Sequence, residues 1–181
     1  VINFKQSGFT IPNIFSTKYE QATIEYWINP NSLTNWNQSG GPGWGTFMFH
    51  ANSDGTYTAG WDTSNRCNST GKLRNNTWTH VAIVTDKNNM TIYINGNKSG
   101  SVNSSSYSGI GGFGDLVFSS NGTQNAQNAR YDEIRIWKTA RTKEEIFLDK
   151  NIEFSGDILP ENLIAYYKGD TLHSNDGKIM L

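Results

Sequence analysis

The chain has 181 residues, with 15 Lys+Arg set against 16 Asp+Glu for a formal net charge of -1. No run of like charges occurs, which argues against a nucleic-acid groove or an anionic membrane surface as partner. No stretch approaches the ~18 apolar residues of a membrane-inserted helix. Hydrophobic residues make up only 35% and mean hydropathy is -0.58, but aromatics reach 13%, so a ring-built core can sit under a surface of Asn, Ser, Thr and Gly. One domain spanning 1–181 is the expectation, because a single β-sandwich can occupy that whole length. The sequence opens on Val1 and shows no basic-then-apolar leader, so a removed signal or an excised domain is the expectation. Cys67 is alone, so no internal disulfide can form. Sequons begin at Asn37, Asn68, Asn75, Asn89, Asn97, Asn103 and Asn121, and in a chain this rich in Asn and Ser many arise by chance.

Residues 23–30 alternate with period two until Pro30 ends the strand, with Ile24, Tyr26 and Ile28 on one face and Glu25 and Trp27 on the other. Residues 45–50 and 57–61 repeat the alternation. Residues 78–85 read as a strand with Val81 and Ile83 opposite His80, Ala82 and Val84. The run from Thr91 to Ile94 meets Asn95-Gly96, a pair that tolerates positive φ and predicts a type I′ hairpin. Residues 116–119 and 131–137 supply further strands. Thr142-Lys143-Glu144-Glu145 is a capping box opening a short helix near 143–150 that carries Ile146, Phe147 and Leu148. Residues 163–167 return as a final strand. The expected fold is all-β: a two-sheet antiparallel jelly-roll sandwich with one short helix near the C-terminus. Its predicted core is Ile24, Tyr26, Ile28, Val81, Ile83, Ile92, Ile94, Ile134 and Ile136.

Four segments in this order, TIEYWINP at 23–30, WTHVAIV at 78–84, MTIYINGNKSG at 90–100 and RYDEIRIWKTARTKEEI at 130–146, resemble the laminin-G-like/pentraxin-like jelly roll of the concanavalin A-like lectin/glucanase superfamily. LIAYYKGD at 163–170 looks like the strand that follows the helix in that group. The resemblance implies the same sandwich. It leaves function open, since the scaffold hosts lectins, adhesion modules, surface proteins and some glycanases.

Sugar recognition needs flat aromatic faces for pyranose C–H groups and amides or carboxylates for hydroxyls. Residues 35–44 read as a Gly-rich polar loop that holds Trp36, Asn37 and Trp44, the leading carbohydrate-binding candidates, against the alternative that both rings fold back over the core. Trp61 and Asp62, at a strand end before a polar loop through Asn65 and Arg66, are secondary candidates. Trp61 shares a face with Tyr57 and Ala59, which favours core packing. Trp27 lies on a face that either bears ligand or is covered by a loop; Trp78 and Trp137 read as structural.

The resemblance also implies Ca²⁺, with Asp132 at the head of a strand and Asp176 in the closing loop 174–177 as its expected ligands. For catalysis, a retaining glycosidase needs two carboxylates on one strand face. Asp132 and Glu133 are adjacent and so are expected on opposite faces; Glu144 and Glu145 serve the helix start. His50, His80 and His173 belong to no motif, and His80 reads as a hydrogen-bonded structural residue. The first expectation is therefore a non-catalytic carbohydrate-binding module of a secreted or surface protein whose partner is a glycan or surface polysaccharide. The alternative is a protein-contacting module of an adhesin or particle coat, and a second alternative is a glycan-active hydrolase.

Overall fold

A computed structural model describes residues 2–4, 9–34, 37–41, 47–61, 65–104, 107–118, 127–155, 159–168 and 171–174. The elements are β1 (Ile2–Phe4), β2 (Phe9–Phe15), β3 (Gln21–Pro30), β4 (Asn37–Gly40), β5 (Met48–Ala51), β6 (Thr56–Gly60), β7 (Arg66–Lys72), β8 (Thr79–Asp86), β9 (Asn89–Ile94), β10 (Asn97–Asn103), β11 (Gly114–Phe118), β12 (Ala129–Trp137), α1 (Lys143–Asp149), β13 (Leu163–Lys168) and β14 (Thr171–Ser174). Among the described residues one sheet runs β10-β9-β8-β3-β12-β13-β14, with β1 also pairing β12, and the other runs β2-β11-β4-β5-β6-β7. The strand pairings are antiparallel, as the alternating patterns require.

Alternation decides what lies between the sheets. Ile24, Tyr26 and Ile28 of β3, Val81 and Ile83 of β8, Ile92 and Ile94 of β9, and Ile134 and Ile136 of β12 are all buried in the main core. They meet Phe47, Phe49, Tyr57 and Phe118 from the second-sheet side. Tyr26 is ringed by Phe118 at 5.3 Å, Tyr131 at 5.7 Å and Phe49 at 5.9 Å between centroids, and its hydroxyl is hydrogen-bonded to that of Tyr57. Burial therefore holds the Tyr26 phenol well above its usual range. At one border the two sheets approach closely. The Thr70 hydroxyl donates to the Ser99 carbonyl, the Gly71 amide donates to the Ser99 hydroxyl, and a Cβ on Gly100 would lie 2.1 Å from the Asn68 carbonyl oxygen.

The hairpin and the helix follow local rules. Asn95 and Gly96 have φ of 52° and 79°, as a type I′ turn demands. Thr142 caps α1, and Glu145 reaches back to the Thr142 amide to complete the capping box. Of the helix's apolar residues only Ile146 is buried, against Ala82 and Val84; Phe147 and Leu148 are 50% and 68% exposed.

Several expectations need correction. Residues 37–40 are not loop but β4, seated between β11 and β5. Arg66 opens β7 instead of continuing a loop, and β14 follows β13, so 163–167 is not the last strand. Strands β1 and β2 have no counterpart in the sequence reading. Each of these segments is polar, Gly-bearing or irregular, and its strand state depends on a neighbour's hydrogen bonds more than on its own pattern. No helix of the described residues is long and apolar enough to cross a membrane.

Candidate functional site

The outer face of β3, β8 and β12 carries the candidate site. Thr23, Glu25 and Trp27 of β3 point away from the core, as alternation dictates, and cross-strand pairing sets Glu25 between Ala82 and Arg135 and Trp27 between His80 and Asp132. This face is not bare. Helix α1 and the segment after it lie over it, so Glu25, His80, Arg135 and Arg141 are buried polar residues.

Buried charge needs partners. Glu25 Oε1 accepts from the Trp137 indole at 2.8 Å and from Arg141 Nη1 at 2.8 Å, with Arg135 4.0 Å away. Arg141 also pairs with Asp149, and Arg135 Nη2 donates to Glu133 Oε2 at 2.6 Å. Burial pushes the Glu25 carboxyl up despite the opposing pull of both guanidiniums. Burial drives the His80 imidazole down to about 3, helped by Arg135, Lys150 and Arg141. Its Nε2 lies 3.8 Å from Glu25 Oε2, an approach that favours the charged imidazole. That carboxylate is already matched by two guanidiniums, however, so His80 stays neutral. The His80 backbone amide donates to the Asn95 side chain, but the imidazole Nδ1 is buried without a hydrogen-bond partner, so the side-chain hydrogen bond expected of a structural histidine is not found there.

Segment 149–154 is hung on this face by side chains. The Trp27 indole donates to the Lys150 carbonyl at 2.7 Å, and Arg135 donates to the carbonyls of Asp149 and Ile152. The Arg135 guanidinium also lies 4.6 Å from the Phe154 ring centroid. The Phe154 amide donates to the Tyr166 hydroxyl, which in turn donates to Glu133 at 2.5 Å. Burial and the Glu133 carboxylate hold the Tyr166 phenol above its usual range.

Between this segment and the sheet lies a cavity of about 430 Å³. Trp27, Asp132 and Glu133 line it from the sheet, Trp78 from the turn before β8, and Lys150, Asn151, Ile152 and Glu153 from the segment. Both tryptophans are half-buried. Trp78, expected to be structural, lines the cavity, with Arg130 stacked 5.7 Å from its ring centroid.

The expectation that Asp132 and Glu133 diverge is also overturned. Pairing passes from Asp132–Trp27 to Arg135–Glu25, so three steps on β12 face two on β3. That is a β-bulge, and Glu133 sits in it with φ of 52°. The extra residue lets both carboxylates line one cavity while Tyr131, Ile134 and Ile136 all stay in the core. The sequence does carry a sign of it, since the apolar spacing from Tyr131 to Ile134 is odd and no regular strand can bury both.

Of the other candidates, Trp61 packs on the edge of the core, 5.3 Å from Phe47 and 6.3 Å from Phe113 between centroids. Asn37 opens β4 opposite Ala51. Trp36, Trp44, Asp62 and Asp176 lie outside the described residues. For calcium, Asp132 Oδ1 accepts the Glu133 amide at 3.0 Å and Glu133 Oε2 is shared by Arg135 and Tyr166. Among the described residues no three His, Cys, Asp or Glu gather to hold a metal. Residues 175–177 of the closing loop expected to complete a calcium site lie outside the described residues.

A family profile described as the concanavalin A-like lectin/glucanases superfamily matches residues 4–147. No curated protein matches the chain. Among solved structures, a candidate carbohydrate-binding protein from Bacteroides ovatus superposes with a TM-score of 0.76 at 20% identity, over 98% of this chain and 55% of that one. The chain thus spans about half the length of that relative. A heptameric SAP-like pentraxin from Limulus polyphemus gives 0.61 at 18% identity, over 94% and 85%. Domain 4 of an extracellular arabinanase from Geobacillus stearothermophilus, solved in complex with arabinotriose, gives 0.61 at 20% identity, over 77% and 70%. At such identities the likeness is one of fold.

Proposed function

Because the chain belongs to the concanavalin A-like lectin/glucanases superfamily, we propose that it is a non-catalytic carbohydrate-binding module acting outside the cell, as part of a secreted or surface-displayed protein. The observation that carries this reading is the cavity between Trp27 and Trp78. Its size falls within the ~300–1,000 Å³ usual for small-ligand sites. Indole rings offer an apolar face with a polar tip, suited to the C–H surface of a pyranose. The carboxylates and Asn151 beside them suit its hydroxyls. The arabinotriose complex of one structural relative supports a glycan as the ligand class.

Hydrolysis is the weaker reading even though Asp132 and Glu133 share the cavity. A glycosidase must hand a proton from one carboxyl to the leaving oxygen. Glu133 Oε2 instead accepts from the Arg135 guanidinium and the Tyr166 hydroxyl, which makes it a structural anchor of segment 149–154. A protein-contacting role draws on a different observation: Phe147 and Leu148 of α1 and Ile152 at the cavity are each about half or more exposed, at 50%, 68% and 47%.

A broad glycan array with the purified chain tests the proposal. The expected result is retention of a defined set of glycans, weakened at least tenfold by Trp78→Ala and by Trp27→Ala. Wild-type-like binding in both variants would move the site elsewhere. A blank array would favour the protein-contacting reading, and release of reducing ends would overturn the non-catalytic one.

A further inference from the structure

The three acids that line the cavity are already engaged. Glu133 pairs with Arg135 and Glu153 with Lys168, each at 2.6 Å. Asp132 is engaged as well, its Oδ1 accepting the Glu133 amide. The cations are not matched in the same way. Lys150, on the segment side, donates to the Phe147 carbonyl at 3.3 Å, lies 4.4 Å from the Phe147 ring centroid, and forms no ion pair among the described residues. Arg130 is shorter still of an anion. Strand pairing sets it opposite Asn29, two residues along from the Trp27–Asp132 pair and on the same outward face. It is half-buried, with its guanidinium over the Trp78 ring at 5.7 Å from the centroid, near the ~6 Å limit of a cation–π contact. Among the described residues it forms no ion pair, and its Nε is buried without a hydrogen-bond partner. A guanidinium drawn partly out of water with only a ring for company has lost hydration that the ring does little to replace. A carboxylate would replace it with two parallel charge-assisted hydrogen bonds in the geometry of the fork.

We propose that the cavity selects a sugar bearing a carboxylate, a uronate-type residue stacked on Trp27 with its carboxylate on the Arg130 guanidinium beside Trp78. The inference rests on the reading of the cavity as a sugar site and names the sugar's class. The guanidinium supplies the charge, and the Lys150 ammonium across the cavity adds to it. Glu133 and Glu153 oppose an anion weakly, because each is neutralised by its own cation. An amino sugar would instead bring a further cation beside Arg130 and Lys150. A neutral hexose keeps the ring stacking and lacks the charge term.

Calorimetry on the full chain at neutral pH and low salt tests it with two matched pairs and a control. The pairs are tetramers of α-1,4-linked galacturonate and of β-1,4-linked glucuronate, each beside its methyl ester, which keeps the ring and removes the charge. The control is a β-1,4-linked glucosamine tetramer. At least one acid should bind about tenfold more tightly than its ester, with glucosamine weakest. Arg130→Gln should cut that preference to about threefold or less, and Arg130→Lys, which keeps the charge without the fork, should keep part of it. The melting transition of each variant is the control for folding, and the acid-to-ester ratio of the wild type decides the matter without them. Rising salt should erode that ratio. Equal binding of acid and ester in both pairs would overturn the inference and leave the sugar site standing, as would a glycan array that retains neutral or amino sugars alone. An undiminished preference in Arg130→Gln would overturn it too. So would competition by tetraglutamate equal to that by the uronate, since the cavity would then recognise any carboxylate. No binding by any of the five, together with a blank array, would remove the sugar site as well.

Discussion

Lowering the pH from 7 to 5 should destabilise this protein through two buried imidazoles. His80 and His50 are 1% and 2% exposed, and burial takes them from an ordinary value of 6.5 down to about 3 and about 4. For His50 the Arg66 guanidinium adds to burial. A histidine whose folded value is depressed binds its proton first in the unfolded chain, so stability falls as pH drops below about 6.5 and goes on falling until the folded value is reached. At pH 5 an unfolded imidazole is almost fully protonated and the folded ones are almost bare. Integrating from pH 7 to 5 gives a loss of about 2 kcal/mol per histidine and about 4 kcal/mol for the pair. Glu25, raised by burial, has the opposite sign. It takes up a proton more readily in the folded chain, and so offsets part of the loss at the acid end of the range. Urea unfolding at pH 7, 6 and 5 measures the slope directly. The decisive variant is His80→Gln, which keeps a neutral polar group in place and should remove about half of the pH dependence whatever its effect at pH 7. A free energy that is flat from pH 7 to 5, or an undiminished slope in His80→Gln, would refute the reasoning.

Three further outcomes are expected. Glu25→Ala removes the carboxylate shared by Arg141 and Trp137, leaving Arg141 with Asp149 and Arg135 with Glu133, and should cost up to about 3–5 kcal/mol in denaturant unfolding. Glu25→Gln, which carries no charge but can still accept from Trp137 and Arg141, should cost clearly less, and equal losses would mean that the carboxylate's charge, not its hydrogen bonds, is what the network depends on. Gly100→Ala should destabilise by at least ~1–3 kcal/mol in thermal melts, because its Cβ would meet the Asn68 carbonyl oxygen at 2.1 Å; a melting point equal to wild type would show that β7 and β10 are not in contact. Thr142→Ala should cost about 1 kcal/mol, the usual worth of an N-cap, and no loss would mean that tertiary packing alone holds α1.

Short-range chemistry made much of this protein legible from its residues. Period-two alternation marked β3, β8, β9 and β12 and their inward residues, because a strand has one orientation that hides its apolar side. Asn95-Gly96 and the Thr142–Glu145 box announced a turn and a helix start, whose determinants lie within a few residues of one another. Strands β4, β7 and β14 were not legible, since polar and Gly-bearing segments become strands only when a neighbour offers its hydrogen-bonding edge.

The candidate site belongs mostly to tertiary structure. Trp27 and Trp78 stand far apart in sequence, and their shared cavity exists because segment 149–154 is pinned beside them by Arg135, Tyr166 and Trp27 itself. The burial of Glu25 and His80 likewise waits on α1 and the chain after it, since a strand's outward face carries no local mark of what will cover it. Asp132 and Glu133 stand between the two cases. Their adjacency predicted divergence, and the bulge that reunites them is driven by the need to bury Tyr131 and Ile134 on one face, a demand written in their spacing and answered only where β3 and β12 pair.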